Sequence, residues 1–227
     1  MPIVPVSTLF DDGQPERPCA AITFDDAYHG AVTLGLHACA EAGAPATVFI
    51  SPALLGQVPH WDVRAGLGSW TALDRKAFLE DDRGIASPSL PGTVPQGALM
   101  RIANFEELRL IAVKENVSFG NHTFHHANLQ ALDLAEAVAE VRSTQEWLDM
   151  NFSEASVPFL AYPYGLAPDF AEALAASTRI RGAFRVEGGW LNRKRLVARA
   201  SLPRWNVPSS INEDSFRLRL NGYLCQR

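Results

Sequence analysis

The chain carries the donor atoms of a hydrolytic metal site in two short segments that lie far apart in the sequence. Asp25 and Asp26 form an adjacent carboxylate pair at the end of an apolar run, and His122 and His126 follow another apolar run in a His-x-x-x-His spacing. One carboxylate and two imidazoles can bind a metal and leave a position open for water, which is the arrangement of catalytic sites. The two segments therefore predict hydrolytic chemistry.

Each of these features also has a purely structural interpretation. An Asp-Asp pair is most often a turn or a helix cap, but two carboxylates directly after a buried strand cannot easily both face solvent, and a cation would hold one of them ionised. On a helical turn, His122 and His126 would share a face and could bind one metal. His125 would then point elsewhere, at the surface or behind the ligands. We therefore expect Asp26, His122 and His126 to be the metal ligands.

A metal held in this way would lower the pKa of its water and polarise a carbonyl, while the neighbouring Asp25 would take the proton. These steps describe the hydrolysis of an amide or an ester. Zinc is the expected metal, and cobalt, nickel, manganese and iron are also compatible with His and Asp ligands.

The elements that must position these residues alternate between strand and helix. The predicted strands cover 20–24, 46–50, 117–119, 157–161 and 182–185, and the predicted helices cover 31–41, 104–115, 132–150 and 169–178. This order implies right-handed βαβ crossovers and a parallel sheet, either a barrel or a doubly wound sheet. Asp25 and Asp26 would then lie at the carboxyl end of the first strand, where α/β barrels carry their chemistry.

The length and composition favour one α/β domain over residues 1–227, because nearly half of the chain is hydrophobic and can form a large core. Periodicity fades between about 51 and 102, where Gly and Pro accumulate around Trp61 and Trp70. That segment is predicted to be an insertion or a lid over the site, with an ordinary surface insertion as the alternative. The two tryptophans could stack on a sugar ring if they lie over the pocket, or could pack in a core.

Charge and hydropathy exclude several classes of partner. The net charge of −5 and the absence of a basic cluster argue against nucleic acid and anionic membrane surfaces, so a neutral or cationic ligand fits better. No apolar run reaches the roughly 20 residues of a membrane-spanning helix. The first residues lack the pattern of a secretion signal, so a cytoplasmic location is expected. Cys19, Cys39 and Cys225 are interpreted as buried, reduced thiols. The oligomeric state stays open.

Three segments together resemble a known family. Thr23–Asp26 resembles the first motif of the polysaccharide deacetylases of the NodB-homology (carbohydrate esterase) type, His122–His126 resembles the second, and Ala161–Gly165 resembles the third in its Ala-Tyr-Pro-Tyr-Gly variant. The resemblance implies an α/β fold of the family's type, a distorted and incomplete (β/α) barrel. It also implies an enzyme that removes N- or O-acetyl groups from glycans.

The resemblance assigns a role to each matching position. It implies that Asp25 is the catalytic base, that the backbone amide of Tyr164 stabilises the oxyanion, and that Asp26 and the two histidines bind the metal. Three residues are expected on the substrate side of the site: Thr123, which would also support its loop, Pro163, and Trp190 as part of a pocket-lining fourth motif.

The chain also departs from the family pattern. Ala161 stands where an Arg usually orients the base, Ala27 stands where a Gly is usual, and no histidine follows His126 although a late histidine normally serves as the general acid. One hypothesis is that Arg204 replaces the missing Arg beside Asp25 or binds substrate. The other is that Asp25 itself protonates the leaving amine after taking the proton from water.

The expected reaction is therefore the metal-dependent hydrolysis of an acetamide on an amino-sugar or glycan substrate, giving acetate and a free amine. Two alternatives remain at this stage. One is a hydrolase of another C–N amide bond, of the cyclic ureide type, on the same fold. The other is a non-catalytic carbohydrate-binding relative, because fold alone does not fix function.

Overall fold

A computed structural model describes residues 1–11, 17–59, 101–114, 116–186, 189–191, 198–208 and 210–221. Most of the predicted insertion, with Trp61 and Trp70, lies outside the described residues, and so does Cys225. The account that follows concerns the described residues.

The described strands form one parallel sheet in which each strand pairs with its neighbour in sequence. The strands are β1 (Ile22–Phe24), β2 (Ala46–Ile50), β3 (Val117–Asn121), β4 (Ser156–Ala161), β5 (Gly182–Arg185) and β6 (Leu202–Pro203). A doubly wound sheet would reverse its strand order, whereas this order runs without reversal from β1 to β6. The sheet curls so far that a side chain directly after β6 bonds one directly after β1. The fold is therefore an incomplete barrel.

Alternation along the strands divides the core into an inner and an outer layer. All five residues of β2 are buried. Val48 and Ile50 belong to the cluster under the helices, while Phe49 belongs to a second cluster with Phe10, Phe159 and other apolar residues. Successive strand residues face opposite sides of a sheet, so the second cluster fills the inside of the curled sheet. Fully buried strands of this kind have nearly continuous apolar sequences, and 46–50 is apolar apart from Thr47.

Helices follow the strands, and all but the last, which has no buried residue, contribute buried side chains to the core. They are α1 (Leu36–Glu41), α2 (Phe105–Ala112), α3 (Leu134–Asn151), α4 (Ala171–Ser177) and α5 (Glu213–Leu220). The predicted helix at 31–41 is present, but its first half, Ala31–Gly35, is a π-helical turn. Gly43, at a φ of 61°, stands just beyond the end of α1, as is common after a helix.

The predicted N-terminal cap of α2 carries a stability prediction. Glu107 accepts hydrogen bonds from the Asn104 backbone N–H at 2.8 Å and from the Arg101 guanidinium at 2.6 and 2.5 Å. Glu107→Ala removes both contacts, so we expect the free energy of unfolding to fall by about 1–2 kcal/mol at pH 7. Urea unfolding measures this loss. Glu106→Ala is the matched control, because Glu106 is an exposed carboxylate in the same first turn.

The same cap predicts how the loss depends on pH. The hydrogen bond from Arg101 is the main cause that lowers the pKa of Glu107 from 4.5 to about 2. A carboxylate with a depressed folded-state pKa stabilises the fold fully above its unfolded-state pKa and loses that contribution as the pH falls through the folded-state value. The difference between the wild type and Glu107→Ala should therefore be complete above pH 4.5 and shrink towards pH 2. A difference that is equal at pH 7 and pH 2.5 would contradict this account.

Two further predictions, on membrane-spanning helices and on the burial of the cysteines, can be compared with the structure. No helix in the described residues is both long enough and apolar enough to cross a membrane. Cys19 and Cys39 are free thiols, but both are only half-buried, so the expectation of full burial is wrong for these two. The partial burial still raises the pKa of each thiol.

Candidate metal centre and active site

The acidic pair lies on a sharp turn at the carboxyl end of β1. Asp26 has a φ of 66° and Ala27 a φ of 55°, a left-handed backbone that costs a non-glycine residue about 1 kcal/mol or more. Ala27 is completely buried, and its carbonyl accepts a hydrogen bond from the Ala103 N–H at 2.9 Å. The positive φ of Ala27 explains why a glycine suits this position, and the contact with residue 103 helps to hold the turn without one.

The structure brings Asp26 together with His122 and His126. The Asp26 Oδ1 lies 3.4 Å from the Nε2 of His122 and 3.2 Å from the Nε2 of His126. One ligand atom from each residue lies within 4.8 Å of the others. Both histidines are almost fully buried, while the Asp26 side chain is 17% exposed. The donor atoms therefore converge at a buried point, while another part of the Asp26 side chain remains accessible.

The hydrogen bonding of His122 shows that this donor set suits a cation. Its Nδ1 lies 2.7 Å from the Ala161 carbonyl oxygen, which can only accept, so the proton of a neutral His122 ring is on Nδ1. The Nε2 then presents a lone pair to the carboxylate of Asp26. Two acceptors that face each other need a cation or an extra proton between them, and a backbone carbonyl behind a histidine is the usual partner of a metal ligand. The residues present fit a divalent metal.

The charges of the cluster favour an ionised carboxylate. Burial is the largest influence on the pKa of Asp26 and would raise it, but His126 and His122 in their protonated forms, through charge and hydrogen bonds, outweigh burial and hold that pKa below its usual value. Burial lowers the pKa of His126, so this ring favours its neutral form. At His122 burial would also lower the pKa, but the hydrogen bond to Asp26 and the charges of Asp25 and Asp26 outweigh it and raise that pKa, so this ring favours an extra proton that metal binding would release. An anionic oxygen and a neutral imidazole are the forms that ligate a metal.

The two histidines converge through a loop and not through a helical turn, so that part of the sequence prediction was wrong. Residues 122–128 form no helix, and Thr123 and His126 have φ values of 61° and 58°. The Asn121 side chain accepts a hydrogen bond from the Thr123 N–H at 3.0 Å, and the Thr123 hydroxyl accepts one from the Ala127 N–H at 2.9 Å. Thr123 has no exposed area. Its hydroxyl supports the loop, and the buried side chain offers no surface to a substrate.

Arg204, directly after β6, bonds Asp25, directly after β1, across the gap between the two end strands of the sheet. Its two terminal nitrogens donate to the two oxygens of Asp25, each at 2.7 Å, and one of them also donates to the Thr23 hydroxyl at 3.1 Å. The guanidinium lies over the rings of Phe49 and Phe184, at 5.3 and 6.0 Å from their centroids. Aromatic faces and a bidentate carboxylate are the partners that a guanidinium prefers in a partly dry site.

This ion pair keeps Asp25 ionised. Burial has the largest effect on the pKa of Asp25 and would raise it, but the Arg204 charge, the His122 charge and the Arg204 hydrogen bonds together hold it below its usual value. The Asp25 side chain is 28% exposed. A charged, fixed and accessible carboxylate could accept a proton from a water molecule beside the candidate metal ligands.

The third segment places a strained turn next to the ligands. Tyr164 has a φ of 59°, and its ring centroid lies 4.7 Å from that of His126 in an edge contact. Gly165 follows at a φ of 73°, with Val186 so close that a Cβ on Gly165 would lie 2.6 Å from it. Pro163 is buried. The turn therefore places the Tyr164 ring against one of the candidate metal ligands.

The remaining candidate, Trp190, contacts an aromatic residue next to Arg204 in the sequence. Trp190 is 37% exposed and its ring lies 6.0 Å from that of Trp205, which directly follows Arg204. Trp205 was missed by the sequence analysis, although an aromatic residue next to the candidate Arg was a usable signal. Phe49 and Phe184 were also missed as partners of Arg204, because their apolar runs indicate only a buried strand.

Comparison with known proteins agrees with this geometry. Residues 12–183 match the polysaccharide deacetylase family, so most of the chain is covered and the protein belongs to that family. No curated protein sequence matches the chain.

Solved structures agree on the fold. A Streptococcus pyogenes deacetylase, PplD, in complex with acetate has a TM-score of 0.63 at 14% identity and covers 96% of this chain and 79% of its own. The de-N-acetylase from Aggregatibacter actinomycetemcomitans scores 0.61 at 11% identity, covering 95% and 81%. IcaB from Ammonifex degensii scores 0.59 at 12% identity, covering 96% and 80%. The predicted incomplete (β/α) barrel of the NodB-homology type is confirmed.

Proposed function

We propose that this protein is a metal-dependent hydrolase that removes an N-acetyl or O-acetyl group from an amino-sugar or glycan substrate. Membership of the polysaccharide deacetylase family supports deacetylation of glycans. The observation that carries the metal-dependent part is the convergence of two imidazole Nε2 atoms on one oxygen of Asp26. That arrangement is unfavourable while both imidazoles are neutral and becomes favourable around a cation.

In this proposal Asp26, His122 and His126 hold a divalent metal. Zinc is the first candidate, and cobalt, nickel, manganese and iron suit the same donor set. A bound divalent cation supplies two effects, a lower pKa of a coordinated water and a polarised acetyl carbonyl.

The protein's own residues then handle the proton. Asp25 accepts a proton from the attacking water, and its two hydrogen bonds from Arg204 keep the carboxylate ionised and directed before that step. Protonated Asp25 returns the proton to the leaving nitrogen as the C–N bond breaks, giving acetate and a free amine. The same residue then acts as base and acid, which agrees with the absence of a histidine after His126.

Other residues would bind the substrate and its developing charge. The backbone N–H of Tyr164, on the turn beside His126, would donate to the oxyanion. Trp190, with Trp205 against it, offers an exposed aromatic surface on which a sugar ring could stack. Pro163 would line the site through the backbone of its turn. We expect an acetylated sugar as the partner of this surface, without nucleic acid or membrane insertion.

The experiment that tests the function is acetate release from a panel of N-acetylated sugars and short oligomers. Metal-stripped protein is assayed before and after the addition of zinc, cobalt or nickel. We expect acetate release only when metal is added, and the rates of release rank the substrates. Tight metal binding without release from any acetylated sugar would contradict it, and would favour a hydrolase of another C–N amide bond or a carbohydrate-binding protein.

A further inference from the structure

The loop that carries both histidine ligands needs external support. Thr123 and His126 both have a left-handed backbone, which disfavours L-residues with side chains. Such conformations persist only where the surrounding contacts determine them. The contacts of Thr123 hold the start of the loop and Ala127, directly after His126, so the orientation of His126 also depends on a contact at the residue that precedes it.

Two consecutive residues of helix α3 supply contacts to both halves of the loop. The Val141 carbonyl accepts a hydrogen bond from the Asn121 side chain at 2.8 Å, just before His122. Glu140 holds His125, just before His126, with both of its oxygens: Oε2 accepts from the His125 backbone N–H at 2.9 Å, and Oε1 lies 2.7 Å from the ring Nδ1. The Glu140 side chain is only 16% exposed, so little water competes for these contacts.

We propose that Glu140 is a positioning residue for the metal centre, acting through His125 on the direction of His126. This inference rests on the proposed function. The two bonds to one carboxylate fix the peptide between Phe124 and His125 and the side chain of His125, so the residue from which the chain enters His126 is held in place. Holding His125 restricts the directions that the His126 ring can take before a metal arrives and reduces the ordering that metal binding requires.

The two contacts between Glu140 and His125 explain why a carboxylate is needed at position 140. A carboxylate has two acceptor oxygens and can receive one bond from the backbone and one from the ring, whereas a glutamine has a single acceptor oxygen. If the Glu140–His125 pair contributed only to stability, the expected result would be different. Its loss would lower the unfolding temperature and leave the metal affinity of the folded protein unchanged.

The test compares zinc affinity in Glu140→Ala, Glu140→Gln and the wild type by competition with a chromophoric chelator. Glu136→Ala is the matched control, since Glu136 lies one turn earlier on α3 and caps the helix through the Asp133 N–H without touching the ligand loop. We expect Glu140→Ala to weaken zinc binding by about tenfold, at the lower end of the range for residues behind metal ligands. Glu140→Gln should fall between Glu140→Ala and the wild type, and Glu136→Ala should match the wild type. Equal affinities in all four proteins, or an equal loss in Glu136→Ala and Glu140→Ala, would overturn the proposal.

A second measurement separates this proposal from the proposed function. Amide hydrogen exchange of metal-free protein reports the order of the loop directly. Faster exchange at residues 122–127 in Glu140→Ala, but not in Glu136→Ala, is the expected result whether or not the wild type binds zinc. If the wild type binds no metal and this pattern is found, the positioning role stands and the metal-dependent function falls. Unchanged exchange in Glu140→Ala would overturn the positioning role.

Discussion

Asp25→Asn is expected to lower the rate of acetate release by about a thousandfold, within the range for a general base. Asparagine has nearly the same shape as aspartate but cannot accept the proton from water. Metal affinity should stay close to that of the wild type, because both oxygens of Asp25 are bonded to Arg204 while the imidazoles converge on Asp26. The rate is measured on metal-loaded protein, and the affinity by chelator competition.

Asp26→Asn is the matched control for this prediction, because it changes the neighbouring carboxylate in the same way. It should remove metal affinity and activity together, since it takes away the charged oxygen on which both histidines converge. The decisive result is that Asp25→Asn loses activity but keeps metal affinity, whereas Asp26→Asn loses both. If Asp25→Asn lost metal while Asp26→Asn kept it, or if Asp25→Asn kept full activity, the assigned roles would be wrong.

Arg204→Ala is expected to lower kcat by about a hundredfold, the size of effect that follows when a reacting group is displaced by about 1 Å. Its guanidinium makes two hydrogen bonds to Asp25 and packs against Phe49 and Phe184, so no smaller side chain can take its place. Arg204→Lys should retain part of the activity, because an ammonium supplies the charge but not the fork. Steady-state kinetics with metal in excess measures both variants.

A surface arginine provides the control for Arg204. Arg181 is 44% exposed and forms a long ion pair with Asp11 at 3.7 Å, so Arg181→Ala should leave kcat unchanged. An effect on KM alone in Arg204→Ala would assign this residue to substrate binding. Turnover equal to that of the wild type would end the hypothesis that Arg204 substitutes for the missing arginine at position 161.

Local sequence patterns were sufficient to predict most of the strands and helices that position the candidate site. The strands at 46–50 and 182–185 have the bounds predicted from their apolar, β-branched runs. The cap of α2 at Asn104, with Glu107 three residues later, is also present as predicted. These features depend on residues close in sequence. The choice between a barrel and a doubly wound sheet could not be made in this way, because both alternate strand and helix and differ only in strand order.

The candidate site shows where local reasoning ends. Residue types and the family resemblance predicted three candidate ligands that the structure brings together, but the helical turn expected at His122–His126 is a loop with two residues at positive φ. Local propensity disfavours that backbone, and contacts from Asn121 and Glu140 compensate for it. Arg204 pairs with Asp25 across the gap between β6 and β1, so the geometry of this ion pair depends on how far the sheet curls.

The most direct test of the central claim is a metal titration of acetate release. Protein stripped of metal is supplied with increasing zinc, and the initial rate of release from the best acetylated sugar is recorded. The account predicts no release without metal and a rate that rises until one zinc is bound per chain, with His126→Ala inactive throughout. Release that persists in stripped protein, or that none of zinc, cobalt, nickel, manganese and iron restores, would contradict it.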